Sequence, residues 1–128
     1  MQIIGGYFGA REHYICLYYD TKNLHFYDSL GQTSFNNVHA LDKRYIQTRY
    51  PEQVIDNRVI EHKVTQQKDG FSCGVFSCIN LITIALGFQP EDFEYDANNP
   101  NLLRNHLRNT ILTKTLSLFP YDAYNIST

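Results

Sequence analysis

The segment from Cys73 to Leu86 (CGVFSCINLITIAL) constrains the chain more than any other, because it is apolar almost all round and closed by Gly87. A stretch of that length ending at glycine predicts a helix buried on most sides, so the rest of the chain must cover it. Ser77, Asn80 and Thr83 interrupt the run, and it is too short and polar to span a bilayer. The covering elements come from both directions. Residues 13 to 19 (HYICLYY) and 24 to 29 (LHFYDS) are rich in aromatic and β-branched residues around the turn cluster DTKN, which predicts a β-hairpin. Residues 58 to 64 (RVIEHKV) predict a third strand. A helix is expected over 38 to 49, with Asn36 or Asn37 as cap, Val38, Leu41 and Tyr45 at apolar positions and Pro51 beyond its end. A last helix is expected from Pro100 to about Leu118, capped by Asn99, with Leu103, His106, Leu107, Thr110 and Ile111 at helical spacing. Strands first and helices later favour an α+β fold over a doubly wound sheet.

The bulk numbers bound the function classes. A length of 128 residues fits one domain, taken here as 1–128. With 43% hydrophobic and 19% charged residues, a buried core is expected and disorder is not. The net charge of −2 and the lack of any Lys/Arg run give no electrostatic footprint for nucleic acid. Cys16, Cys73 and Cys78 are too few for a disulfide scaffold, which suggests a reducing compartment. The N-terminus shows no basic region followed by a long apolar stretch, so neither a signal peptide nor a membrane anchor is expected. The expected location is intracellular, in the cytoplasm or nucleus. Internal repeats and low-complexity tracts are absent from the sequence.

The chemistry-bearing residues fall at the edges of these elements. If the hairpin loop spans Asp20 to Asn23, Tyr19 faces Leu24, Leu17 faces Phe26 and Ile15 faces Asp28. Period-two alternation then puts His13 on the face of Asp28, diagonally across the pair and within imidazole-to-carboxylate reach. Cys73 stands where the loop KDGFS turns into the apolar helix. The partial positive charge of a helix N-terminus stabilises a thiolate, and the thiolate is the form that attacks carbonyl carbon. His13 is the candidate base, Asp28 the group that holds its tautomer, and Gln67 a donor to a developing oxyanion beside the backbone N–H of Cys73. Each has an ordinary alternative: a small buried thiol, a strand-end histidine, an Asx turn with Ser29 and Gly31, and a solvated loop glutamine like neighbouring Gln66.

Order and spacing taken together shift the balance between these readings. HY at 13–14, YDSL at 27–30 and QQKDGFSCGVFSC at 66–78 resemble the ubiquitin-like-protein-specific protease family, which includes SUMO proteases and deneddylases and is related to the adenovirus maturation protease. The resemblance covers nearly the whole chain. MQIIGGYFGAREHY is similar to the strand and loop that deliver the family histidine, and NLLRNHLRN followed by FP resembles the closing helix of viral and mobile-element versions. It implies a permuted papain-like arrangement, with an antiparallel or mixed sheet packed on the helix that begins at the nucleophile. It implies a cysteine protease with His13, Asp28, Gln67 and Cys73 as its catalytic set and no metal or cofactor. The implied substrate is a peptide or isopeptide bond after a Gly-Gly-like motif of a ubiquitin-like protein (SUMO, NEDD8 or ubiquitin) or of a polyprotein, cleaved through a thioester.

The chain departs from the family pattern in three ways. Tyr14 stands where Trp is usual, Ser72 where Asp is usual, and only twelve residues precede His13 where cellular relatives have a long upstream segment. That upstream part of the family domain is expected to be absent. The rival readings are a non-catalytic module that binds ubiquitin-like proteins and an acetyltransferase of the bacterial effector type. The second would need a basic cluster for its phosphates, and none is visible. Cys16 is expected in the core, Cys78 elsewhere on the helix, and His106 as a packed histidine.

Overall fold

The computed structural model describes residues 2–8, 11–30, 44, 46, 48–50 and 59–125. Strands β1 (Gln2–Phe8), β2 (Arg11–Tyr19), β3 (Leu24–Tyr27) and β4 (Val59–His62) form one sheet in the order β1-β2-β3-β4. The first three are antiparallel, and β4 joins β3 in parallel. The β2–β3 hairpin has the register expected from its turn: Tyr19 faces Leu24 and Leu17 faces Phe26. Asp20 fixes that turn by accepting the Lys22 and Asn23 amides on Oδ1 at 2.8 and 2.7 Å, an Asx arrangement that lets Thr21 adopt a positive φ of 78°. The expected strand at 58–64 is present as β4. The expected helix at 38–49 lies mostly outside the described residues, of which Arg44, Ile46, Thr48 and Arg49 are helical.

The apolar run is helix α1, Cys73–Ala85. It ends in a Schellman arrangement: the Gly87 amide donates to Ile84 O at 2.9 Å and the Phe88 amide to Thr83 O at 3.1 Å. That closure needs a left-handed residue after the C-cap, and Gly87 supplies it at φ 90°. Helix α2 spans Pro100–Thr113, with the Asn99 side chain accepting from the Leu102 amide and Pro100 in the first turn. It is shorter than expected. Lys114 turns left-handed at φ 55°, and the chain from 115 to 120 doubles back so that Phe119 packs 4.4 Å from the His106 ring. Leu116 and Leu118 fall within the expected helix, yet neither is fully buried, whereas Phe119, just beyond it, is buried by the return. Strands β5 (Phe93–Tyr95) and β6 (Tyr121–Tyr124) make a second, two-stranded antiparallel sheet that the sequence pattern did not announce.

Alternation in β2 divides the core. Ile15 and Leu17 pack with Leu24, Phe26, Ile46 and Tyr50 on one face of the sheet. Cys16, Tyr27 and Val64 face the other way and meet Tyr18, Leu81 and Ile84 under α1. The far side of α1 buries Phe76, Ile79 and Ile82 against Phe93, Tyr95, Leu103 and Phe119. Each such side chain contributes about 1.5–3 kcal/mol of transfer free energy. The helix is therefore held between the sheet and the α2/β5/β6 layer, and the fold is α+β. None of the described helices is long and apolar enough to cross a membrane.

Candidate active site

His13 lies on β2 beyond the point where β3 stops pairing with it, since the last β2–β3 pair is Cys16 with Tyr27. Asp28, the first residue after β3, fills that gap. Its Oδ1 accepts a hydrogen bond from His13 Nε2, and the pair is 2% and 5% exposed. The same oxygen accepts the Leu30 amide at 2.9 Å. The turn role and the histidine-partner role of Asp28 are thus met by one atom, and the turn holds the carboxylate in place for the imidazole.

Gln67 sits beside this pair because β4 runs parallel to β3 and the chain leaves both strands at the same end. The Gln67 amide donates to Ser29 O at 2.8 Å, and the Ser29 hydroxyl donates to Gln67 Oε1. Its Nε2 donates to Asp69 O at 2.9 Å. A carbonyl oxygen accepts only, so the Asp69 contact identifies the NH2 end of the amide and the Ser29 contact the oxygen end. One N–H of Nε2 is used on Asp69; the second is the one available to another acceptor. Gln66, by contrast, is exposed and spends its side chain on Asp28 O and Val64 O.

Asp69 carries the chain of contacts on to α1. Its Oδ1 accepts the Phe71 and Ser72 amides at 3.0 and 2.7 Å, and its Oδ2 accepts the Ser72 hydroxyl at 2.6 Å. Burial acts to raise this carboxyl, but the Ser72 hydroxyl, the two amides and the Arg104 guanidinium outweigh it and hold it below its ordinary value. Where the family pattern has a carboxylate directly before the cysteine, this chain has a buried Ser72 bonded to one. Cys73, 8% exposed, opens α1. The Ser72 side chain makes no capping bond to the helix, and no acidic residue lies in its first turn. The first-turn amides and their partial positive charge therefore stay available beside the thiol.

A hydrogen-bonded path thus runs His13–Asp28, then Ser29–Gln67–Asp69–Ser72, round the end of the sheet to the residue before Cys73. A second link is proximity: a Cβ added at Gly74 would lie 3.8 Å from Tyr14 Cδ2, so the residues following Cys73 and His13 are neighbours. Alternation starts His13 from the sheet face opposite α1, so the way from the imidazole to Cys73 leads round the strand end. All four residues expected from the sequence lie in this region. Asp69 and Arg104 were not singled out, and Ser72 was noted only as a departure from the family pattern. The Asp-Gly turn at 69–70 is visible in the sequence, but the partner from α2, thirty-two positions after Ser72, is not.

The model of the Ulp1 protease family, C-terminal catalytic domain, matches residues 15–114. The chain belongs to the Ulp1 protease family. The match covers Asp28, Gln67 and Cys73 and begins two positions after His13. Ulp1-family membership makes this a cysteine-peptidase catalytic domain, in agreement with the resemblance read from the motifs. No curated protein and no solved structure matched the chain. Among the described residues of this Ulp1-family domain, no group of three or more His, Cys, Asp or Glu side chains is placed to hold a metal ion.

The other two thiols have different surroundings. Burial pushes Cys16 up to about 12, and burial also raises Cys78. Cys16 is wholly enclosed in the core under α1, as expected.

Proposed function

We propose that the chain is a cysteine peptidase that cleaves after the C-terminal tail of a ubiquitin-like protein, using Cys73 as nucleophile in a permuted papain-like arrangement. The observation that carries this reading is the buried bond between His13 Nε2 and Asp28 Oδ1. In this reading the opposite ring nitrogen, Nδ1, is the base, and the carboxylate gives the developing imidazolium a fixed counter-charge. Nδ1 takes the Cys73 proton at the end of the sheet, and the thiolate attacks the scissile carbonyl. The oxyanion meets the Cys73 backbone N–H and the second N–H of Gln67 Nε2. The imidazolium then protonates the leaving amine, and water attacks the thioester to release the acid and restore the thiol. The narrow tail of a Gly-Gly type suits a site whose nucleophile is only slightly exposed and flanked by the half-exposed Tyr14 ring.

The test is incubation with SUMO, NEDD8 and ubiquitin carrying a C-terminal vinyl or alkyne electrophile, read by intact mass. One adduct per chain on Cys73, absent in Cys73→Ser, is the expected result. No adduct with any of the three, together with equal slow labelling of all cysteines by a small alkylating agent, would favour the non-catalytic binding module.

A further inference from the structure

The loop that ends at Cys73 is held by a residue from a different layer of the fold. Arg104, in the second turn of α2, donates from Nη2 to Ser72 Oγ at 2.6 Å, and its guanidinium lies 5.3 Å from the Phe71 ring centroid. The Ser72 side chain is fully buried, and its hydroxyl is used twice: it accepts from Arg104 and donates to Asp69 Oδ2. A neutral hydroxyl thereby bridges a cation and an anion immediately before the proposed nucleophile. The same Asp69 offers its main-chain oxygen to Gln67 Nε2. One loop therefore orients the proposed oxyanion donor at one end and launches α1 at the other.

We infer that Arg104 is a positioning residue for this site, one that fixes the 69–72 loop and neutralises Asp69 so that no uncompensated negative charge faces the thiolate at Cys73. Three features support this beyond simple packing. Ser72 at a helix N-cap would ordinarily turn its oxygen onto the first-turn amides, and here it makes no such bond. Its hydroxyl is kept off those amides by the two partners just named. The guanidinium also contributes to holding the Asp69 carboxyl low, so the two side chains interact as charges. Phe71, 73% exposed, gains a cationic partner on its face, which steadies a loop that has little other cover.

The inference rests on the reading of Cys73 as the nucleophile, and the experiment separates the two. The alkylation rate of Cys73 by iodoacetamide is measured against pH in the full chain, by peptide mapping, for the native sequence and for Arg104→Met, Arg104→Lys and Asp69→Asn. Arg104→Met leaves Asp69 uncompensated and moves the midpoint of the profile up by about half a pH unit, roughly a threefold loss of reactive thiolate near neutrality. Asp69→Asn keeps the oxygen that accepts the Phe71 and Ser72 amides, puts an NH2 against the Ser72 hydroxyl so that this hydroxyl accepts instead of donating, removes the charge, and moves the midpoint down by a similar amount. Arg104→Lys retains the cation and stays near the native profile. Opposite shifts are the signature of charge, because a purely structural role would damage the site in the same direction in both variants. If Arg104→Met does not fold, Arg104→Gln, which keeps N–H donors for Ser72 without the charge, is measured in its place and is expected to give the same upward shift. Shifts of the same sign, or none, overturn the inference while the native chain still shows a fast, His13-dependent Cys73. A native Cys73 that reacts no faster than Cys78 overturns the catalytic reading and this inference with it.

Discussion

Replacing Asp28 by Asn isolates the charge at the proposed site, because this structure fixes which way the new amide points. Oδ1 of Asp28 accepts from both His13 Nε2 and the Leu30 amide, whereas Oδ2 has no hydrogen-bond partner among the described residues. An asparagine that kept its oxygen on Leu30 would put its NH2 in the Oδ2 position, where it displaces no bond. The flipped amide would set NH2 against the Leu30 N–H, two donors face to face. The oxygen therefore stays on His13, the ring keeps its tautomer, and only the counter-charge to the imidazolium is lost. Two unit charges about 4 Å apart interact by about 4 kcal/mol at an effective dielectric constant of about 20. A neutral acceptor retains roughly half of a charge-assisted bond, leaving a loss of about 2 kcal/mol. That is about 30-fold in kcat, with KM little changed. The assay is hydrolysis of a fluorogenic C-terminal amide of whichever ubiquitin-like protein labels Cys73. Asp28→Ala serves as the control. It deprives both His13 Nε2 and the Leu30 N–H of their acceptor and costs much more. The reasoning is refuted if Asp28→Asn falls about 10^4-fold, as when an asparagine forces the wrong histidine tautomer, or if activity is unaffected.

Other outcomes follow from burial and charge. Leu103, fully buried between α1 and the second sheet, should cost about 3 kcal/mol as Leu103→Ala, read from the denaturation midpoint at constant slope; a cost under 1 kcal/mol would mean that the α1–α2 contact is not part of the core. Cys16, with its thiol pushed up to about 12 by burial, should be alkylated at pH 7.5 only as fast as the protein unfolds, and rapid labelling of native protein would contradict the packing of α1 on β2. Asp20 is held below the ordinary carboxylate range by the His25 side chain and then by the Asn23 and Lys22 amides. A lowered native value means that its contribution is present at neutral pH and is lost as pH falls below about 4. Asp20→Asn should therefore flatten the acid side of the stability profile, and an unchanged slope would contradict the turn geometry.

The hairpin register and the His13–Asp28 pairing were legible because both depend on local rules, a four-residue turn and strict alternation along two strands. The bounds of α1 were legible for the same reason, since Gly87 and the end of apolar periodicity coincide. Helix α2 was read too long because apolar residues continue to Leu118 after the backbone has turned left-handed at Lys114; a return that buries Phe119 accommodates the same composition. The second sheet was not legible. Phe93 to Tyr95 is three residues long, and its partner lies beyond α2, so the pairing rests on tertiary contact between Phe93 and Tyr124 rather than on propensity. Spacing singled out the four proposed residues but not the contacts that connect their surroundings. Alternation sets His13 on the face of Ile15 and α1 on the face of Cys16, and the link round the strand end runs through Ser29, Asp69 and Ser72, small polar residues that no spacing rule distinguishes.

The most direct test of the account is the rate at which Cys73 is alkylated at pH 6.5 with and without the His13 imidazole. The account predicts a native Cys73 that reacts at least tenfold faster than Cys78 and loses that advantage in His13→Ala, with the fold intact by circular dichroism. Equal rates in the two proteins would show that the histidine at the end of β2 does not reach the sulfur at the start of α1.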